Sequence, residues 1–137
     1  MINAKNRKIL SEDYRYRSCF ITSRNDFIDI HHSFYGWGNK IEEMWNYVPL
    51  SMYYHKYGQH AVHDGNKITF CGEELKTRKV CALFSILRAS EEDLIKYKLL
   101  HKKKGLMQDK NLVDCVLTLA RRSGFYDDLN IEDDKSF

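Results

Sequence analysis

The chain has 137 residues, 43% hydrophobic and 13% aromatic, with one proline and a formal charge of +3. That length suits one domain, or a small motif with an appended helical part, and excludes two full-sized domains. No apolar run approaches the roughly 20 residues that span a bilayer, and no apolar stretch follows the basic N-terminus, so the expectation is a soluble, cytoplasmic protein with no membrane partner.

Residues 1–13 are polar and basic and read as a loose arm. From Tyr14 to Ile30 the pattern suggests two short strands around a polar turn, with Phe27, Asp29 and His31 on one face and Ile28, Ile30 and His32 on the other. Gly36 and Gly38 bracket Trp37, which makes residues 33–45 a loop closed by Val48-Pro49-Leu50. Ser51 is a candidate N-cap for a short helix carrying His55 through about Tyr57, with Gly58 ending it. The first unit is therefore drawn at 14–70 and a helical part at 71–137.

In that helical part Leu75, Val80, Leu83, Phe84, Ile86 and Leu87 mark an amphipathic helix to about Ala89. Ser90, with Asp93 three residues on, opens a second helix through Leu94, Tyr97, Leu99 and Leu100 that stops near Gly105. A third runs from about Asp109 to Arg122 on Leu112, Val113, Val116, Leu117 and Leu119, with Gly124 past its end. Lys5, Arg7, Lys8, Arg15 and Arg17 make the front basic, Lys96, Lys98 and Lys102 to Lys104 enrich one later helix, and Asp127, Asp128, Glu132, Asp133 and Asp134 make the tail acidic. This distribution fits a polyanion partner, though taken alone the plainer reading is that each run is a solvated face. Cys19, Cys71, Cys81 and Cys115 form no C-x-x-C pair, which points to reduced thiols, with Cys81 and Cys115 in the core.

His32, Asn46 and His55 follow the spacing His-x13-Asn-x8-His, and His31 precedes the first of them. The spacing suits a hairpin that presents one histidine, a loop that carries an asparagine and a helix that returns a second histidine. Such a layout can hold one divalent cation on a phosphodiester. Hydrolysis there needs a nucleophilic water, a Lewis acid and a means of offsetting charge on the leaving oxygen. His32 suits the general base, because its unperturbed pKa of roughly 6.5 lets it accept a proton near neutrality.

The segments Asp29-Ile30-His31-His32, Trp45-Asn46-Tyr47-Val48-Pro49-Leu50 and His55-Lys56-Tyr57-Gly58-Gln59-His60-Ala61-Val62-His63 resemble the HNH nucleases, particularly small phage-type members, over roughly residues 16 to 66. The resemblance implies an α+β fold with a ββα-metal motif and an appended bundle of about three helices. It implies a metal-dependent endonuclease or nickase acting on DNA, in the host cytoplasm if phage-encoded. On the matching positions His31 would hold the metal, His32 the water, Asn46 the loop and the general base, and His55 the metal again. The ion would be one of Mg2+, Mn2+, Ni2+ or Zn2+.

Many relatives also carry a structural zinc held by two C-x-x-C pairs. Here Cys19 stands at the first position, but Thr22, Ser51 and Tyr54 stand at the others, so no structural zinc is expected and aromatic packing must replace it. His60 and His63 either help complete the site or are polar helix-end residues. Arg15, Arg17, Arg24, Lys40 and Lys56 either neutralise DNA phosphates or are ordinary surface charge. The helical part is a possible homodimer interface. The alternative function is an inactive HNH scaffold that binds DNA or a host defence factor.

Overall fold

The structure is a computed structural model and describes residues 2–36, 38–52, 54–55 and 67–131. The expected loose arm is instead a docked helix, α1 (Ala4–Glu12). The Asn3 side chain caps it by accepting from the Asn6 backbone N–H at 2.8 Å. Asn6 is itself buried and donates to the Glu42 carbonyl at 2.9 Å and the Tyr47 hydroxyl at 3.1 Å. A cap and a satisfied buried amide outweigh the basic composition that suggested disorder. A 3-10 turn at Tyr14–Arg17 follows, with Tyr16 edge-on to Phe125 at 5.2 Å.

Strand β1 (Ile28–His32) forms as expected, but its partner is not the preceding 19–22 segment. Those residues make a tight turn in which the Cys19 N–H donates to the Arg24 carbonyl and the Ser23 N–H to Cys19. The loop-closing Val48-Pro49-Leu50 is instead the heart of a strand. After β2 (Tyr35–Gly36) and β3 (Asn39–Lys40), which pair with each other, β4 (Tyr47–Ser51) runs antiparallel to β1, with Ile28 opposite Ser51 and His32 opposite Tyr47. All five β4 residues are buried, so this run takes the place the nearer segment would have filled. Pro49 is tolerated because the pair has only two strands. Its carbonyl points outward and accepts from the Phe20 N–H, and the side of the residue lacking a donor faces the same way. Beyond Ser51 the backbone is helical at residues 52, 54 and 55, while the expected end of that helix at Tyr57 and Gly58 lies outside the described residues.

The second half opens on a hairpin that periodicity missed, β5 (Lys67–Phe70) with β6 (Glu73–Lys76), pairing Ile68 with Leu75. Cys71 and Gly72 both take positive φ, 52° and 83°, the backbone of a two-residue hairpin turn. The first long helix, α2 (Thr77–Arg88), therefore starts two residues after Leu75. The single helix expected from Ser90 to Gly105 is two helices, α3 (Glu91–Lys96) and α4 (Leu100–Met107), broken where Lys98 adopts φ 59°. Helix α5 (Lys110–Ser123) matches expectation, with Asp109 capping its start and Gly124 at φ 84° ending it. The architecture is mixed α+β, with a hairpin and four helices where about three helices were expected. No described helix is long and apolar enough to cross a membrane.

Helix α2 lies at the centre of the core. Its Val80, Leu83, Phe84, Ile86 and Leu87 are fully buried, together with Val48 and Leu50 of β4 and Leu112, Cys115 and Val116 of α5. Phe20 stacks on Phe84 at 3.8 Å. The four cysteines are free thiols, and only Cys71 is exposed. At the end of α2 the Arg88 guanidinium donates to the Tyr16 hydroxyl at 2.8 Å, to the Trp45 carbonyl at 2.9 Å and to the Tyr47 carbonyl at 2.5 Å, and lies 3.9 Å over the Phe84 ring. Replacing Arg88 by Ala strips those oxygens of their donors at about 1 to 3 kcal/mol each where they are buried. Urea denaturation of Arg88→Ala is therefore expected to show a loss of about 3 kcal/mol or more. A loss under about 1 kcal/mol would show that water replaces the guanidinium freely.

Candidate functional site

Strand alternation sets Asp29 and His31 on one face of β1 and His32 on the other. On the first face His31 and His55 are both buried, with ring centroids 5.3 Å apart in an edge-to-face arrangement. His55 Nδ1 lies 3.1 Å from Asp29 Oδ2. An ionised carboxylate only accepts, so Nδ1 carries the proton and Nε2 carries the lone pair. A carboxylate bound to one ring nitrogen is the usual device for orienting a metal-ligating histidine and raising its basicity. Asp29 was not among the sequence-based site residues. The signal was present, since alternation already placed it beside His31.

His32 belongs to a different network. Its Nε2 lies 3.1 Å from Glu42 Oε1, and the same carboxylate oxygen accepts from the Tyr47 hydroxyl at 2.7 Å. Asn6 closes the chain by donating to that hydroxyl, and the His32 ring packs edge-on to Tyr47 at 5.1 Å. For His31 and His32 to share one phosphate, β1 would have to be irregular at its end. Instead the pairing stays regular through His32 opposite Tyr47, so the two rings diverge. Burial pushes the His32 pKa below its ordinary value, and the Glu42 hydrogen bond only partly offsets this. Burial pushes the Glu42 carboxyl up, but hydrogen bonds from Tyr47 and His32 outweigh it and the net shift is downward. Donation from a neutral His32 ring suffices for that bond, with Nε2 protonated and Nδ1 left as the acceptor.

Asn46 is fully buried, and its amide ties the β1–β4 connection together. Its Oδ1 accepts from the Phe34 N–H at 2.9 Å, while Nδ2 donates to the carbonyls of Phe34 at 3.0 Å and Ile41 at 2.9 Å. The contact holding the His32 ring runs to Glu42, ten residues on, rather than to Asn46. Gly36 in this connection is hemmed in, because a Cβ there would stand 3.3 Å from both Ile41 and Tyr97.

The basic residues sort unevenly. Arg15 is engaged by the fold, paired with Asp13 at 2.7 Å and Asp128 at 2.9 Å and lying 4.4 Å over Phe125. Arg17 is exposed and donates to the Ser11 carbonyl, Arg24 is exposed 3.8 Å from Asp26, and Lys40 is exposed on β3. Lys56, His60 and His63 lie outside the described residues. Thr22, Ser51 and Tyr54 line one cavity of about 590 Å³ with Arg24, Asp26, Phe27 and Met52, and bring no thiolate to it.

The chain matches no protein-family model, no curated protein and no solved structure. Its chemistry therefore rests on the residues themselves. Among the described residues no group of three or more His, Cys, Asp or Glu side chains is placed to hold a metal ion. What the geometry does bring together is two imidazoles with a carboxylate behind one of them, residue types that could bind a cation only with further ligands from substrate or water.

The His32 shift has a consequence for stability. With the native pKa depressed, the unfolded chain takes up a proton near pH 6.5 that the folded state refuses, so stability falls as pH drops below about 6.5. The slope from this one group is at most about 1.4 kcal/mol per pH unit. The lowered Glu42 carboxyl acts in the same direction at lower pH. Urea titrations at stepped pH should show that His32→Gln loses less stability than the parent between about pH 7 and pH 5. Identical profiles would remove His32 as the source.

Proposed function

We propose that the chain is a metal-dependent endonuclease or nickase of the HNH type, hydrolysing DNA phosphodiester bonds. The observation that carries this reading is the Asp29–His55–His31 cluster, two buried imidazoles brought together from β1 and the segment after β4, one of them oriented by a carboxylate. The order of elements supports it too. Two antiparallel strands, a connection clamped by a buried asparagine and a helical segment carrying the second histidine follow one another as they would in a ββα-metal motif. His31 and His55 would hold one divalent ion, Mg2+, Mn2+, Ni2+ or Zn2+. When bound, that ion supplies Lewis-acid stabilisation of charge on a phosphate oxygen.

The remaining work falls to the chain's own groups. Asp29 holds the His55 proton on Nδ1 and so makes Nε2 the nitrogen that would face a cation. Glu42 holds the His32 proton on Nε2, which leaves Nδ1 to take a proton from water and places a carboxylate beside the imidazolium that results. A lowered His32 pKa keeps that ring neutral, and so competent as a base, at neutral pH. Asn46 sets the connection from which Glu42 reaches His32.

A second reading is favoured by one observation, the divergence of His32 from the His31–His55 pair. In it the chain keeps the scaffold and binds DNA or a host defence factor without turnover. Supercoiled plasmid incubated with the protein in EDTA or in each of the four metals separates the two. The nuclease reading expects metal-dependent nicking or linearisation, abolished in His55→Ala and reduced by at least about 100-fold in His32→Ala, as befits a general base. Cleavage at the parent rate by His55→Ala, or no cleavage under any metal, would contradict it.

A further inference from the structure

Five lysines crowd the end of α3, the turn after it and α4, namely Lys96, Lys98, Lys102, Lys103 and Lys104, and no acidic residue stands between Asp93 and Asp109. Lys96, Lys98, Lys102 and Lys104 are exposed, and among the described residues none of the five forms an ion pair. Asp93 and Glu43 are engaged by the fold, Asp93 accepting from the Trp45 indole at 3.0 Å and Glu43 from the Tyr97 hydroxyl at 2.9 Å, while Glu91 and Glu92 stand exposed at the start of α3. Helix α4 packs on the core only through the half-buried Leu100 and Leu106, and Lys102 and Lys104 stand exposed.

The backbone supplies an independent observation. The Leu99 N–H donates to the Leu94 carbonyl and the Lys98 N–H to Ile95, with Lys98 at φ 59°, which makes a Schellman ending with lysine at its left-handed position. Helix α5 ends in the same way, with the Phe125 N–H on the Ala120 carbonyl, and there the left-handed residue is Gly124. Glycine takes this conformation without the Cβ clash that lysine suffers. At Lys98 the chain thus carries a charged side chain where glycine would serve the fold better.

The turn also sits beside the connection that bears on the candidate site. Tyr97 packs edge-to-face on Trp45 at 5.9 Å and closes against Gly36 of β2, whose paired strand β3 carries exposed Lys40 opposite exposed Tyr35. We propose that the α3–α4 turn and α4, continued by Lys40 of β3, form a docking surface for the phosphodiester backbone of double-stranded DNA, separate from the histidine site. The choice of DNA rests on the nuclease reading. Lys102, Lys103 and Lys104 are consecutive on α4, with Lys96 on α3 and Lys98 in the turn, and no stripe of lysines forms, which suits sequence-independent contact with phosphates and not readout of bases.

The test uses the full chain in EDTA and fluorescence anisotropy of a labelled DNA duplex, at two potassium chloride concentrations about threefold apart. The combined variant Lys96→Glu, Lys98→Glu, Lys102→Glu should lose about tenfold or more in affinity and reduce the slope of log affinity against log salt by about 2 to 3. Lys98→Gly should melt at an equal or higher temperature than the parent and still bind DNA several-fold more weakly, a pairing that a merely structural lysine would not give. Unchanged affinity and salt slope in the triple variant overturn the surface, as does tighter binding of a duplex RNA of the same length. A parent that cuts plasmid while the triple variant binds and cuts equally well would remove the surface and leave the nuclease. Lysine-dependent DNA binding by a parent that cuts nothing would leave the surface and remove the nuclease.

Discussion

The guanidinium of Arg88 is the joint on which the rest of the molecule depends. It leaves the C-terminal end of α2 and meets the carbonyls of Trp45 and Tyr47 at the point where the β1–β4 connection becomes β4, while Tyr16 and the faces of Phe84 and Phe125 enclose it. A planar group with five donors in a fixed fork can satisfy several oxygens from different elements at once, which an ammonium on a flexible stem does poorly. Burial lowers the Arg88 pKa, with the Tyr16 hydroxyl as the main offset, so the cation is held chiefly by neutral oxygens. Its neighbour in the chain extends the joint, since Asn130 donates through its backbone to Leu87 and through its amide to Ala89. The two halves of the sequence are thereby one packed body.

Fixing β4 fixes β1 through their register, and with it the two polar clusters on opposite faces of that strand. One is Asp29, His55 and His31. The other is His32, Glu42, Tyr47 and Asn6, which reaches across to α1 and explains why that helix is docked. Both place a histidine against a carboxylate, and in both the carboxylate decides which ring nitrogen carries the proton. They differ in what each ring packs against. His55 lies edge-to-face with a second imidazole, that of His31, whereas His32 packs on the Tyr47 ring. A chain that binds a cation on one face and moves a proton on the other needs its substrate to bridge the strand end, which is the strictest demand the nuclease reading makes.

What could be read from the sequence follows the range of each interaction. Local signals were legible. Alternation over residues 27–32 separated His31 from His32, the Asp109 and Gly124 caps bounded α5, and Ser90 marked the start of α3 through its bond from Asp93. Signals that depend on a distant partner were not. Val48-Pro49-Leu50 reads as a loop closure until β1 lies beside it, and Arg15 reads as a free cation until Asp128 arrives from 113 residues away. Glu42 stands ten residues beyond His32, in a connection whose course is set by the Asn46 amide. Lys98 hid a helix break because nothing in its side chain announces a left-handed backbone.

Nitrogen-15 NMR of the histidine imidazoles, recorded while Zn2+ is added to one equivalent, asks whether His31 and His55 bind one cation together. His55 should be in the Nδ1–H form before metal, held there by Asp29, with the His55 Nε2 and His31 resonances shifting together on addition and His32 retaining its Nε2–H form. His55 in the Nε2–H form, or resonances of His31 and His55 that ignore the metal, would contradict a shared cation site.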